Sequence, residues 1–383
     1  MVGSDVQAPP ERSEIEVSLF GPGYGENLVL HLGDNTWIIV DSCIDPTTGE
    51  PASLAYLHHM HIDPATAVQQ VIATHWHDDH IRGLGRIVQA CASAEFVCSA
   101  ALRQDEFLTL VTAYGRHAMM ASPGVQEFYD VIQALQERRQ RVSSPQLRPP
   151  VFATAGRCLW RSEVHISGLR YPCTIHALSP SDTSILLAHR HIANLLPREG
   201  VTKPRVPALT PNHAAVVLWV NIGEVFVLLG SDLEETGNPE TGWSVILGST
   251  THPQGKAAVF KVPHHGSRTA DHPQVWQDML TPGPLAVLTP FSRGNVSLPT
   301  RQDADRICVR AEQAYTTAMP RQRRRRDRPN AVEKLIQDTV RFIREVHPSI
   351  GQIRLRTNLA KTPLSWRVEL FGDARLLNQI YAA

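Results

Sequence analysis

Histidines and carboxylates crowd one short stretch of the sequence, residues 75–80. The stretch holds His75, His77, Asp79 and His80 in the pattern His-x-His-x-Asp-His. Two imidazoles two residues apart can face one metal ion, while the carboxylate and the next imidazole turn toward a second ion. Nitrogen and oxygen donors of these types suit Zn²⁺, Mn²⁺ or Fe²⁺. A chance cluster of polar loop residues is the alternative, but the elements on either side favour a metal-binding loop.

Those flanking elements are a buried strand and a helix. The apolar segment Val71–Ala73 predicts a strand that ends at the loop, and Gly83–Cys91 predicts a helix behind it. Functional residues collect in the loops at strand ends of layered α/β folds. Farther along the chain, Val225–Leu229 and Ala257–Val262 predict two more strands, which lead to a carboxylate and to a histidine pair. The opening residues, Ile15–Ser42, predict a meander of strands that begins a sheet.

The composition is that of a folded protein with no excess of either charge. Hydrophobic residues make up 42% of the 383 residues and charged residues 19%. Lys plus Arg equals Asp plus Glu at 37 each, so overall charge cannot hold the chain on nucleic acid. We find no secretory signal and no apolar run long enough to cross a bilayer. That absence predicts no membrane partner. Six cysteines without close pairs predict reduced thiols, and hence a cytoplasmic protein.

The rest of the chain predicts additions to one main domain. We expect a flexible N-terminus at residues 1–14, a domain at 15–300, and a C-terminal extension at 301–383 that packs on the same domain. Amphipathic helices broken at Ser122–Gly124 predict a helical insertion at about residues 101–145. The extension is expected to contain helices at Asp303–Ala318 and Ala331–Val346 and a final hairpin. The proline-rich segment Asn194–Pro211 predicts a long loop.

Three motifs together resemble a known family. They are the His-x-His-x-Asp-His loop, Asp232 at the end of Val225-Phe226-Val227-Leu228-Leu229-Gly230-Ser231-Asp232, and Lys261-Val262-Pro263-His264-His265-Gly266-Ser267. The sequence resembles the metallo-β-lactamase superfamily over roughly residues 15–300, and is most similar to the metallo-β-lactamase domain of the ComEC competence proteins. The resemblance implies an α/β fold, a four-layer αββα sandwich, here with the helical insertion and a C-terminal helical and hairpin extension. It also implies two divalent metal ions, Zn²⁺ or Mn²⁺.

The resemblance implies roles for individual residues. Asp232 resembles the carboxylate that bridges two metals, although a helix N-cap before Leu233 is the alternative. One of His264 and His265 is expected to bind metal and the other to face substrate. The resemblance to choline-phosphate esterases of the superfamily favours His265 as the metal ligand. His264 and Asp79 are then the expected catalytic residues. The implied metal ligands are His75, His77, Asp79, His80, His213, Asp232 and His265.

Other assignments are more open. His213 lies where many superfamily members carry a third histidine of the first metal site, but the competence branch commonly has an asparagine-and-serine motif there. Asn212, Lys261 and Ser267 are candidate substrate contacts, although Asn212 could steady the loop and Lys261 could instead reach water. Six of the eight residues in Arg321–Arg328 are arginine, a run that could bind nucleic acid or simply form a solvated loop.

The function that follows is a dinuclear-metal hydrolase. A hydroxide that bridges the metals would be the nucleophile, and a phosphodiesterase or nuclease is the favoured class because of the resemblance to the competence proteins. A small-molecule esterase, lactonase or phosphocholine esterase would use the same ligands. A regulatory module that binds metal without catalysis is a further alternative, although such members usually lose ligands.

Overall fold

Eighteen strands and ten helices account for most of the chain in the computed structural model, which describes residues 8–23, 25–103, 105–115, 123–141, 149–166, 168–194, 211–250, 252–293, 296–320, 329–339 and 350–381. The strands of one sheet are β1 (Glu14–Pro22), β2 (Glu26–His31), β3 (Trp37–Ser42), β4 (Val68–Ala73), β5 (Glu95–Ser99), β6 (Val151–Ala153), β16 (Ile350–Asn358) and β17 (Arg367–Gly372). Those of the second sheet are β7 (Cys158–Ile166), β8 (Leu169–Ala177), β9 (Leu218–Ile222), β10 (Val225–Leu229), β11 (Ala257–Lys261), β12 (Leu280–Leu288), β15 (Gln313–Thr316) and β18 (Arg375–Leu376). A separate hairpin consists of β13 (Phe291–Arg293) and β14 (Val296–Leu298).

The helices lie along the chain between these strands. They are α1 (Ala52–His59), α2 (Pro64–Ala67), α3 (Asp78–Ile81), α4 (Leu84–Ala90), α5 (Asp105–Gly115), α6 (Pro123–Arg141), α7 (Asp182–Ala193), α8 (Gly242–Gly248), α9 (Arg301–Arg310) and α10 (Asn330–Thr339). None of the helices in the described ranges is both long enough and apolar enough to cross a lipid bilayer.

The two sheets pack face to face with helices on their outer faces. The first has the strand order β17-β16-β1-β2-β3-β4-β5-β6 and the second β18-β15-β12-β11-β10-β9-β8-β7. One apolar core contains residues of both sheets and fills the space between them. A second core joins the first sheet to α1, α4, α5 and α6, and a third joins the second sheet to α8 and α9. The predicted four-layer αββα sandwich is confirmed.

Strand β3 shows how the sequence specifies the layers. All six residues of β3 are buried. Trp37 and Ile39 belong to the core beneath the helices, whereas Ile38 and Val40 belong to the core between the sheets. Because successive side chains of a strand point to opposite faces, a strand covered on both faces reads as a continuous apolar run. The predicted meander is also present, since β1, β2 and β3 pair antiparallel in sequence order.

The predicted helical insertion packs beside the His-rich loop. Its two helices, α5 and α6, are separated near the predicted break, and α6 begins at Pro123. Phe107 and Phe128 are buried in the core under the first sheet. The indole of Trp76, within the loop, meets the Phe107 ring edge-on with centroids 5.5 Å apart. The insertion therefore supports the loop from outside the sheet.

The C-terminal residues are part of both sheets and do not merely pack on a finished domain. The predicted helix Asp303–Ala318 is too long, because α9 ends at Arg310 and Gln313–Thr316 forms β15, which pairs parallel with β12. β16 pairs along its whole length with β1. The sequence separation between β1 and β16 hides this pairing from local patterns. Part of the predicted helix Ala331–Val346 is observed as α10, and its remainder lies outside the described residues.

Helix α7 is an element that the sequence analysis did not predict. The Ser-Pro-Ser sequence at Ser179–Ser181, which is typical of a turn, contains its N-cap, because Ser181 Oγ accepts a hydrogen bond from the Ser184 backbone N–H. The predicted long loop Asn194–Pro211 follows, and residues 195–210 lie outside the described ranges, as do residues 1–7 of the predicted flexible N-terminus. All six cysteines are free thiols.

Candidate metal centre

The His-rich loop lies at an edge of the sandwich where strands of both sheets end. Strand β4 passes directly into the loop, and the last residues of the loop form α3. In the second sheet, β10 and β11 are parallel neighbours that end at Leu229 and Lys261. The chain then continues from β10 to Asp232 and from β11 to His265. Parallel strands bring their carboxyl ends to the same edge, so distant parts of the sequence meet there.

Four side chains of ligand type surround one point of this edge: Asp79, His80, Asp232 and His265. One donor atom from each lies within 4.8 Å of the others. Asp232 Oδ2 is 3.3 Å from His80 Nε2 and 3.5 Å from His265 Nε2. Asp79 Oδ2 is 3.3 Å from His265 Nε2. Two imidazoles and two carboxylates form a donor set that suits a divalent transition metal.

A second group shares one of these residues. It consists of His75, His77 and again Asp232, with donor atoms within the same 4.8 Å. The Asp232 carboxylate is therefore common to both groups. Residues 233–241 form no helix, so the alternative role of Asp232 as a helix N-cap does not apply.

Hydrogen bonds at the Nδ1 atoms orient the imidazoles. His80 Nδ1 is 2.8 Å from Asp41 Oδ2, and His265 Nδ1 is 2.9 Å from the Thr289 carbonyl oxygen. His75 Nδ1 is 3.0 Å from Thr74 Oγ1, whose own hydrogen is donated to Asp41 Oδ2. Each Nδ1 therefore carries the proton as donor. The lone pair of each Nε2 is left for the centre, as in histidines that bind metals.

The centre contains buried polar atoms that have no hydrogen-bond partner among the described residues. They are His75 Nε2, His80 Nε2, His265 Nε2 and Asp232 Oδ1. An unpaired buried polar atom costs about 1–3 kcal/mol, so four in one place require an explanation. Metal ions that accept these lone pairs would provide that explanation. The imidazole and carboxylate donors present fit such ions.

Burial and neighbouring charges set the protonation of these side chains. Burial, with the nearby His80, holds the pKa of His75 well below its ordinary value. Burial also lowers the pKa of His80, but the carboxylates of Asp232 and Asp41 outweigh it and raise that pKa well above the ordinary value. The pKa of His265 is raised against burial by Asp232. A proton on Nε2 of His80 or His265 and a metal cation would therefore compete for the same negatively charged centre.

The remaining predicted ligand, His213, is not a member of these groups in the described part of the chain. Within the described residues, His213 is a member of none of the three clusters of potential ligands. It lies in the short turn Pro211–Ala214, and its buried Nδ1 has no hydrogen-bond partner in the described ranges, which omit residues 195–210. The third cluster consists of Asp41, His75 and His80. The oxygens of Asp41 are already engaged there by Thr74 and His80.

His264 belongs to none of the ligand groups of the described residues and contacts the carboxylate of Glu234 instead. Its Nδ1 is 3.2 Å from Glu234 Oε1, and its side chain is 22% exposed. The Asn212 side-chain amide donates to Glu234 Oε2 at 3.2 Å and lies 3.3 Å from His264 Nε2. Among the predicted residues, His264 is thus on the solvent side and His265 on the ligand side. Asn212 steadies this arrangement from a buried position.

Two predicted substrate contacts have partners inside the protein. Lys261 is fully buried and its ammonium pairs with Glu26, so the expectations that it contacts substrate or reaches water are corrected. Ser267 Oγ accepts a hydrogen bond from the Thr269 backbone N–H and caps a short turn. The predicted nucleic-acid contact Arg321–Arg328 lies outside the described residues.

The backbone is strained around the centre. Asp41, Ser231, His264 and His265 have positive φ angles of 59°, 45°, 46° and 55°. Residues other than glycine seldom adopt this conformation, which costs about 1–3 kcal/mol each. Such strain persists where the surrounding structure fixes the backbone, and it is concentrated here beside the ligand groups.

Sequence reasoning missed the carboxylates that support the site. Asp41 is the last residue but one of β3 and accepts hydrogen bonds from both Thr74 and His80, and the carboxylate of Glu234 contacts His264. Asp41 lies in the meander, where the sequence pattern predicts strands and no functional residue. Its position at the carboxyl end of a buried strand beside β4 was the available signal.

Comparisons with known proteins bear on the family. No curated protein matches the chain. A metallo-beta-lactamase-like protein of known structure from Thermotoga maritima is 13% identical, with 55% of this chain and 68% of that chain covered and a TM-score of 0.28. Residues 21–145 match the family model described as the metallo-beta-lactamase superfamily. Residues 21–145, which include the His-rich loop, are therefore similar to the metallo-beta-lactamase superfamily.

Proposed function

We propose that the chain is a dinuclear-metal hydrolase. The observation that carries the proposal is the carboxylate of Asp232, which is shared by two groups of potential ligands. Two bound divalent cations, Zn²⁺ or Mn²⁺, would supply an activated water and stabilise negative charge on the attacked oxygen. The proposed ligands are His75, His77 and Asp232 for one ion and Asp79, His80, Asp232 and His265 for the other. His213 is left out of this set because it lies outside both groups.

We assign the transfer of a proton to His264. Glu234 engages its Nδ1, so Nε2 is the atom that would exchange a proton with the leaving oxygen, once substrate displaces the Asn212 amide that lies 3.3 Å from it. The side chain is partly exposed, which allows substrate to reach it, whereas the ligand His265 is buried. Asp79 is 23% exposed and can orient the attacking water as well as bind metal.

Phosphodiesters are the proposed substrates, and the chain is proposed to act as a phosphodiesterase or nuclease. The support is the resemblance of Lys261–Ser267 to the competence-protein branch, together with the arginine run at residues 321–328 as a contact for nucleic acid. A cytoplasmic location is part of the same proposal, because six unpaired cysteines suit a reducing compartment.

A hydrolysis panel tests this function. Purified chain would be stripped of metal, reloaded with Mn²⁺ or Zn²⁺, and given plasmid DNA, RNA, bis(p-nitrophenyl) phosphate, carboxylic esters and lactones. We expect phosphodiester hydrolysis that a chelator stops and that Asp79→Asn abolishes. His59→Gln, at an exposed histidine outside the site, is the matched control and should keep full activity. Activity on esters or lactones alone would replace the nuclease with a small-molecule hydrolase. Silence on every substrate by metal-loaded protein would contradict an enzyme of either class.

A further inference from the structure

A lysine is completely buried behind the candidate metal centre. Lys261 is the last residue of β11, and its side chain has no exposure. Lysine is almost never buried to this degree unless its charge is paired. Here the ammonium pairs with Glu26 and donates a 2.8 Å hydrogen bond to the Ser231 carbonyl oxygen. It also lies 3.7 Å from Asp232 Oδ1.

The partner of this lysine belongs to the other sheet. Glu26 is the first residue of β2, and its side chain is 1% exposed. Its Oε1 is also 4.0 Å from His80 Nδ1. The ion pair between Lys261 and Glu26 therefore joins the two sheets directly behind the ligand groups. A charge pair in such a place must offset a desolvation cost of several kcal/mol per ion, which makes a purely stabilising role a weak explanation.

The lysine holds the turn that carries the shared carboxylate. Ser231 has a strained φ of 45° and immediately precedes Asp232. Its carbonyl oxygen accepts two hydrogen bonds, from Lys261 Nζ at 2.8 Å and from the His264 backbone N–H at 3.0 Å. Two donors on one carbonyl fix the orientation of that peptide group. The direction in which Asp232 points is thereby tied to the ammonium.

We propose that the buried pair of Lys261 and Glu26 is the positioning device of the shared carboxylate. Lys261 holds the Ser231 turn, and Glu26 keeps the ammonium from moving onto Asp232, where it would compete with metal. The inference rests on the proposed function and adds two positioning residues to it. Lys261 thus acts through Asp232 and does not touch substrate.

The experiment separates positioning from ordinary stability. Lys261→Met, Glu26→Gln and the double variant would be compared with wild type, and Lys256→Met serves as control because that lysine is exposed just before β11. Thermal unfolding of the metal-free protein and calorimetric titration with Zn²⁺ alone or Mn²⁺ alone would be measured. Lys261→Met leaves a buried lone carboxylate, so we expect a lower Tm. The double variant has no lone charge and should regain most of that Tm.

Metal affinity decides whether the pair of Lys261 and Glu26 positions Asp232 or only stabilises the fold. We expect Lys261→Met, Glu26→Gln and the double variant all to bind metal about 10- to 100-fold more weakly than wild type. Recovery of wild-type affinity in the double variant, or unchanged affinity in Lys261→Met, would overturn the positioning role. If Lys261→Met does not fold, Glu26→Gln and the double variant carry the same test. A wild-type chain that binds neither metal would contradict the proposed function itself.

Discussion

At the scale of single residues, protonation explains why the histidines suit metal ions. Three imidazoles donate through Nδ1 to Thr74, Asp41 and Thr289, which leaves their Nε2 lone pairs toward the centre. The sequence predicted which residue types gather, because their spacing in one loop is visible. It could not predict which oxygens fix the tautomers, because those acceptors come from other strands.

Glu234 is expected to matter for turnover and not for metal binding. Its carboxylate holds His264 Nδ1 and lies outside the ligand groups. Glu234→Gln should lower turnover by up to about 100-fold, since a general acid contributes at least that factor and its orientation is lost. Turnover and metal content of the purified variant would be measured together. Loss of metal in step with activity would show that Glu234 supports the ligands instead.

The stability of the fold is expected to fall at mildly acidic pH because of His31. Burial is the main cause that lowers its pKa from 6.5 to about 4. The unfolded chain therefore binds a proton at a higher pH than the folded chain, and the free energy of unfolding drops as pH falls from about 6.5 to 4. The full drop is about 3 kcal/mol.

Urea unfolding at pH 7 and pH 5 checks this expectation. His31→Gln should lose the part of the pH dependence that comes from this ring, so its two curves should differ less than those of wild type. His165→Gln, an exposed histidine in β7, is the matched control and should behave as wild type. Equal pH dependence in wild type and His31→Gln would argue against the assignment.

At the scale of elements, the insertion helix α6 buttresses the metal-binding loop. A Cβ on Gly124 would lie 2.5 Å from the Trp76 carbonyl oxygen. Helix and loop therefore approach as closely as glycine allows. Glu127, one turn farther on, accepts a 2.8 Å hydrogen bond from the Gly83 backbone N–H just behind the loop.

Gly124→Val should weaken both the fold and the centre. The branched side chain forces α6 off the loop, at a cost of about 1–3 kcal/mol. The same clash shifts the loop backbone at Trp76, which lies between His75 and His77. Metal retention after dialysis should therefore fall as well. Gly248→Ala is the control, since nothing lies within 4 Å of a Cβ built there. A destabilised variant that retains metal fully would show that the loop does not depend on α6.

The elements also show where local patterns suffice. Strands β3 and β4, helix α4 and the break before α6 follow from apolar periodicity and turn residues close to the observed bounds. Strand β15 cannot be predicted in this way. It has only four residues, and its pairing with β12 specifies it more than its own sequence does. Likewise β16 is fixed by long-range pairing with β1.

At the scale of the whole molecule, the site is a product of the sandwich. The first sheet supplies Asp41 and the His-rich loop, and the second supplies Asp232 and His265. The sequence predicted these groups to meet only through the family resemblance. Physical pattern alone placed each at a strand end but not at a common edge. Under the proposed function, substrate choice would depend on the surface around His264, which no motif encodes.

The number of metal ions held per chain tests the central claim most directly. Elemental analysis of wild type, Asp232→Asn and the exposed control Asp34→Asn would be combined with unfolding of the metal-free proteins. We predict two ions in wild type and in the control, and loss of at least one ion in Asp232→Asn without loss of the fold. A wild-type chain without metal, or an Asp232→Asn variant that keeps both ions with unchanged affinity, would contradict the account.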